Sequence, residues 1–311
     1  MVNESAETPH STSHSNASAS LRVIAADIKL AHSIFALPFA LLAGVMAGRE
    51  LLSGPLWLRL VLVACAMIAA RTVAMLSNRV IDREIDASNP RTSARALPSG
   101  EITLAAARGW LLIAGLIFML ICGGFYILCD NIWPLILGLP VLAWISLYGY
   151  LKRFTWLCHI YLGSSLAISP LAAALAVEPL SLAQPALWLL AAMVLLWVAG
   201  FDVIYALQDV DVDRAQQLYS LPARLGSRAA LRISRGLHSG AFACLLGVAW
   251  LDVDLQFVFA VGVAIVGFLL ILEHATVHRW GTQKIALSFF TLNGIISCVL
   301  GAMGVIDVLW V

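Results

Sequence analysis

Charge is what this 311-residue sequence has least of: Asp, Glu, Lys and Arg make up only 12% of it, about half the usual share. So few charges cannot cover the water-facing surface of a soluble domain. The six cysteines (Cys65, Cys122, Cys129, Cys158, Cys244 and Cys298) form no CxxC pair and no metal-ligand spacing. That excludes a zinc ribbon and leaves them as small apolar filler. No basic region followed by an apolar core opens the chain, so the N-terminus does not read as a signal peptide. Its first twenty residues, with six Ser, read instead as a disordered tail covering residues 1–24. The formal charge of +1 carries no basic patch, and no nucleic-acid partner is expected.

Hydrophobic residues make up 61% of the chain and mean hydropathy is +0.91. Apolar runs of the length needed to cross a hydrocarbon core recur along it. We read nine: Leu30–Ala47, Leu56–Leu76, Leu104–Gly123, Ile132–Leu151, Cys158–Val177, Pro185–Ala206, Leu237–Leu251, Leu255–Val277 and Leu287–Val311. Their continuous apolarity predicts helices rather than the alternating strands of a barrel. The expected fold is therefore all-α, a polytopic transmembrane bundle of nine helices around a central cavity.

Basic residues orient the bundle, because Lys and Arg are retained on the cytoplasmic side. With the N-terminus inside and the C-terminus outside, all 19 basic residues except Arg49 and Arg59 fall on one face, while Asp130, Glu178, Asp252 and Asp254 mark the other. The chain is expected in the inner, cytoplasmic membrane with its long basic loops facing the cytoplasm.

Two of the polar connections are unusually long for a compact bundle. The first runs from Arg71 through Asn78, Asp82 and Asp86 to Gly100; the second runs from Asp202 through Tyr205, Asp209 and Asp213 to Gly226. Each begins as a polar continuation of an apolar helix. At about 100° per residue, Asn78, Asp82 and Asp86 drift by only about 40° per step, so three oxygen-bearing side chains share one face with Arg71. On a continuous second helix, Asp202, Asp209 and Asp213 fall within about 40° of one another, with Tyr205 on the flank. Glu84 and Asp211 point away from these faces and read as solvated bystanders.

Carboxylates crowded on one face at the edge of a membrane repel unless a cation lies among them. Oxygen-only donors without Cys or a suitable His pair suit Mg²⁺, which keeps several waters and bridges to substrate phosphates. Arg71, Arg91 and Arg95 are placed to grip phosphate oxygens. The alternative for each loop taken alone is that its acids pair with their own arginines. The recurrence of the pattern after spans two and six suggests an internal pseudo-repeat with two acidic faces opposed across the cavity.

At these residues the sequence resembles the UbiA superfamily of intramembrane prenyltransferases. Asn78, Asp82 and Asp86 match the first family signature in an NxxxDxxxD form; Asp202, Tyr205, Ala206, Asp209 and Asp213 match the second, DxxYAxxDxxxD. The likeness extends through Asn89-Pro90-Arg91-Thr92, Arg95 to Gly100 and Lys152-Arg153-Phe154-Thr155, covering roughly residues 25–311. It implies Mg²⁺ and a polyprenyl diphosphate at Asn78, Asp82, Asp86, Asp202, Asp209 and Asp213. Among these Asp82 and Asp209, with Arg71 and Lys152, are the expected catalytic groups. Arg71, Arg91, Arg95, Lys152, Arg153 and Tyr205 are expected at the diphosphate.

The segment from Lys29 to Phe39, with Glu273, His274 and Asn293, is similar to the 4-hydroxybenzoate polyprenyltransferase branch. Ala31 stands where many of that branch carry an acid before the His. The branch implies an aromatic-acid acceptor near His32 and Asn293, in ubiquinone-type biosynthesis; a naphthoate acceptor in menaquinone biosynthesis is the alternative. A reading from another class is a cation-coupled transporter, whose acids belong near the membrane midplane. Isoprenoid length and oligomeric state are not encoded in any motif found.

Overall fold

The computed structural model describes residue 23 and residues 35–51, 56–285 and 287–310. All regular structure in them is helical. His32, Lys29, Ala31 and, apart from residue 23, the N-terminal tail lie outside the described residues.

The long helices follow the apolar runs closely. They are α1 (Leu37–Ala47), α2 (Leu56–Ser88), α3 (Leu104–Cys129), α4 (Trp133–Leu151), α5 (Cys158–Val177) and α6 (Pro185–Tyr205), then, after two short helices, α7 (Val210–Ala215) and α8 (Leu221–Leu225), α9 (Ser227–Leu251), α10 (Phe257–Trp280) and α11 (Asn293–Trp310). Among the described residues, seven helical segments are long and apolar enough to cross a membrane: α2 to α6, α10 and the segment that ends in α11. The other two expected spans differ for identifiable reasons. Helix α1 has only 11 described residues, with Pro38 in its first turn where a missing N–H costs nothing. Helix α9 starts ten residues before the predicted Leu237 and brings Arg228, Arg232 and Arg235 into its first turns, which lowers its hydropathy.

Helix α1 is the centre of the bundle. Eight of its residues are buried, among them Phe39, Leu42 and Met46, and it packs chiefly on α5, α11 and α2. Helix α6 packs on α5 and α9 and buries Trp197, Leu190 and Met193 almost completely. The peripheral α3 does the reverse: Leu112, Leu116, Leu120 and Ile127, at helical spacing, stand exposed. In a bilayer that apolar stripe would face lipid.

The two basic residues on the far side are both accounted for. Arg49 pairs with Asp252 at 2.5 Å and with Asp254 at 2.7 Å, tying the end of α1 to the α9–α10 connection. Arg59 donates to the carbonyl oxygens of Val177 and Cys129.

Candidate active site

Helix α2 runs unbroken for 33 residues, about 50 Å, so the first acidic motif is carried out of the apolar layer on a single rigid rod. Asp82 and Asp86 are buried on its inner face while Glu84 is exposed and bonds only Arg83, as the periodicity requires. Asn78 Nδ2 donates to Asp82 Oδ2 at 2.9 Å. Lys152 Nζ reaches the same oxygen at 2.6 Å, and Arg153 donates to Asp82 Oδ1 at 3.2 Å and to the carbonyl of Ile81. Gly149, one turn before Arg153 on α4, lets that helix approach Asn78 closely. Asp86 takes both of its oxygens' bonds from Arg95, each at 2.8 Å.

The second motif is not one helix, and this corrects the expectation. Helix α6 ends at Tyr205, residues 206–208 form a tight 3-10 turn, and Asp209 (φ −107°, ψ 7°) opens the short α7. The break means that helical periodicity no longer relates Asp202 to the other two. Asp202 bonds His159 Nδ1 at 2.7 Å, and His159 Nε2 accepts from the Leu221 backbone N–H. That acceptance makes Nε2 the bare nitrogen, so Nδ1 carries the proton and donates to Asp202. Asp213 is held by the Ser220 hydroxyl at 2.5 Å. Burial raises its carboxyl above the ordinary range, opposed by the Ser220 hydrogen bond and supported by the nearby Asp209 charge. Asp211 is exposed, as expected of a bystander.

Asp209 is where the motifs meet. Arg91 grips it with two bonds, Nε to Oδ1 at 3.0 Å and a terminal nitrogen to Oδ2 at 2.6 Å, and donates to the Tyr205 hydroxyl at 2.8 Å. Burial works against the Arg91 charge, but Asp209 and Tyr205 outweigh it and its pKa lies above the usual value. Asn89 supplies a further bridge, its Nδ2 donating to Asp209 Oδ1 at 3.0 Å. Its Oδ1 accepts from the Arg91 backbone N–H at 2.9 Å. This is the turn chemistry an Asn-Pro pair favours, and it leaves the amide nitrogen free to cross to the other helix.

A cavity of about 380 Å³ lies among α2, α3, α4 and α5. Its lining is almost wholly apolar, including Phe118, Phe125, Met67 and Leu166, with Arg71 and Tyr148 as the notable polar groups. On α2 its wall runs from Val63 to Met75, and Asn78 follows one turn beyond. The Arg71 Nε is sealed from solvent and has no hydrogen-bond partner. The cavity is thus bounded by the first four long apolar helices after α1 and is not centred between the two acidic motifs as expected.

Asn293 lies in a buried network with Trp197 and Glu273.

Among the described residues no three His, Cys, Asp or Glu side chains converge on one point. Each acid has instead a counter-charge or donor of its own. The donor chemistry nonetheless fits a hard divalent cation, since Asn78, Asp82, Asp86, Asp209 and Asp213 offer oxygen alone. The basic partners Lys152, Arg153, Arg95 and Arg91 are a quarter to a third exposed, so they can exchange one anion for another at low cost.

A family model described as "UbiA prenyltransferase family" matches residues 36–295. The chain belongs to the UbiA prenyltransferase family. It is 32% identical over 200 residues to a 4-hydroxybenzoate octaprenyltransferase of Cronobacter sakazakii, a match covering 64% of this chain and 65% of that one. The chain thus spans just under two thirds of the length of the curated relatives it matches. The apo structure of a UbiA homolog from Aeropyrum pernix K1 superposes with a TM-score of 0.77 at 30% identity, covering 89% of this chain and 98% of that one. A UbiA homolog from Archaeoglobus fulgidus bound to GPP and Mg²⁺ shares the fold, with a TM-score of 0.61 at 17% identity over 93% of this chain and 99% of the other.

Proposed function

We propose that this UbiA-family chain is a magnesium-dependent transferase that moves a polyprenyl group from its diphosphate to an aromatic acid, with 4-hydroxybenzoate as acceptor, in quinone biosynthesis. One juxtaposition carries the reading: two acidic helix ends, joined through Asn89, Arg91 and Asp209, lie next to an apolar cavity lined in part by Arg71, whose buried Nε has no partner. Anionic and apolar halves of a prenyl diphosphate match those two environments. The Cronobacter sakazakii relative's name supports the acceptor, and the Archaeoglobus fulgidus structure supports the metal and the prenyl donor.

In this reading Asn78, Asp82, Asp86, Asp209 and Asp213 hold the metal, with Asp202 behind them through His159. Bound Mg²⁺ supplies charge that stabilises the departing diphosphate. Lys152 and Arg153, released from Asp82, and Arg95, released from Asp86, turn to phosphate oxygens; Arg91 joins them from Asp209. Tyr205 orients Arg91 through its hydroxyl. Arg71 lines the cavity about two helical turns before Asn78 on the same helix and offers charge to the anionic end of a bound substrate. The apolar walls exclude water from the allylic cation that ionisation leaves. The ring of the acceptor attacks that cation and then loses a proton.

The same reading places α1 and α9 across the membrane with the seven other segments, the N-terminus and both acidic motifs facing the cytoplasm. Incubating purified protein with Mg²⁺, a polyprenyl diphosphate and a panel of aromatic acids tests the activity. The expected result is a prenylated 4-hydroxybenzoate identified by mass; cation flux into vesicles without such a product would contradict it.

A further inference from the structure

Away from the acids, four helices bury a second polar cluster: Trp197 on α6, His238 on α9, Glu273 and His274 on α10, and Asn293 on α11. Its hydrogen-bond directions are fixed by chemistry. The Trp197 indole only donates, so Asn293 Oδ1 accepts it at 2.8 Å and Asn293 Nδ2 donates to Glu273 Oε1 at 2.9 Å. The Trp197 carbonyl only accepts, so His238 Nε2 carries a proton and donates to it at 3.2 Å. His238 Nδ1 is then a bare acceptor, filled by His274 Nε2 at 3.0 Å. Gly200 makes this possible, because any side chain there would strike the His238 ring.

The accounting ends with two buried acceptors unfilled, Glu273 Oε2 and His274 Nδ1. Glu273 has no exposed surface, and its Oε2 lies 3.7 Å from His238 Nδ1. An ionised carboxylate there would be held by one neutral hydrogen bond, from Asn293, in an apolar interior, which strongly disfavours the charge. We propose that Glu273, with His238 and His274 beside it, forms a membrane-embedded proton-binding site, the proton being resident on Glu273 Oε2.

Four helices bring the groups around it: His238 from α9, His274 from α10 itself, and the neutral Trp197 and Asn293 from α6 and α11, with Arg235 on α9 acting on His274. Placing the proton on Glu273 leaves no charge at that depth, whereas moving it to His238 would create a separated ion pair. The site also positions a functional wall. Asn293 follows the π-helical turn Leu287–Leu292, and Phe289 in that turn lies 4.2 Å, ring to ring, from Tyr205. Glu273 is thus a positioning residue that acts through Asn293 and Phe289 on the Tyr205–Arg91 pair; only this consequence rests on the proposed prenyl transfer.

Infrared spectroscopy of the purified protein tests the proton without requiring activity. The wild type at neutral pH should show a carboxylic-acid carbonyl band that Glu273→Gln lacks. An identical acid band in the two proteins would overturn the assignment. Because the neutral acid is the form the packing accepts, wild-type melting temperature should fall as pH rises and Glu273 ionises. Glu273→Gln, which keeps a donor at that position, should show a flat profile, and its turnover should not share the several-fold alkaline loss of the wild type. Parallel profiles in the two proteins would contradict the proposal. Should Glu273→Gln fail to fold, Asn293→Leu serves: it removes the donor that favours the carboxylate, so loss of the wild-type acid band should move to higher pH. An unmoved transition would overturn the idea. If turnover is absent in every protein while the band behaves as stated, prenyl transfer fails and the proton site stands.

Discussion

The two acidic motifs look alike in sequence and are built differently. The first sits on an uninterrupted helix, so Asn78, Asp82 and Asp86 keep the register that a period of about 3.6 residues dictates. The second crosses a 3-10 turn at residues 206–208, and the same arithmetic fails from Asp202 to Asp209. Similar spacing therefore implies a shared face only where the backbone between the residues stays helical. The consequence is functional: Asp82, Asp86 and Asp209 are gripped by strong bases, whereas Asp202 is held by a histidine and Asp213 by a hydroxyl.

That difference can be broken by substitution. The largest effect is expected at Asp82, which Asn78, Lys152 and Arg153 all contact. Asp82→Ala should lower kcat by roughly a hundredfold or more, the scale of losing a principal electrostatic group; a loss under tenfold would detach the first motif from catalysis. Asp209→Ala should follow closely, because it also releases Arg91 and Asn89, and its failure to reduce turnover would uncouple the two motifs. Asp202→Asn should cost less, about tenfold or below, since an amide still accepts from His159 Nδ1 at about the strength of a neutral hydrogen bond. Steady-state rates equal to those of Asp209→Ala would show that Asp202 belongs with the ligands after all. The smallest effects are expected at the exposed Glu84 and Asp211, whose replacement by Ala should leave activity within about twofold of wild type, as for ordinary surface changes.

What could be read from sequence follows the same division. Runs of apolar residues located the apolar part of each long helix, because a bilayer imposes length and composition together, but not the polar extensions of α2 and α9, which run ten or more residues further. The inner face of α2 was legible because one helix carries all of it. His159 and Ser220 were not, since their partnerships with Asp202 and Asp213 arise from packing between α5, α6 and the short helices, and a lone His or Ser leaves no periodic trace. Asn89 had a usable signal in its Asn-Pro turn, though nothing local says that its amide reaches Asp209. Glu273 and Asn293 stood out as polar groups among apolar neighbours, but their network with Trp197, His238 and His274 needs four helices to assemble. The cavity beside α2 likewise comes from helix packing and not from any one segment.

The central claim is that the two acidic helix ends act together, through a divalent cation, on a prenyl diphosphate. Titrating purified protein in detergent with a non-hydrolysable prenyl diphosphate analogue, with and without Mg²⁺, tests it most directly. Five carboxylates and a diphosphate repel one another without added positive charge, so metal and analogue should bind with positive coupling, each raising the other's affinity by the same factor. Asp82→Ala and Asp209→Ala should both erase the coupling, and Glu84→Ala should preserve it. Equal analogue affinity in Mg²⁺ and in chelator would contradict the account and leave the acids as partners of their own arginines.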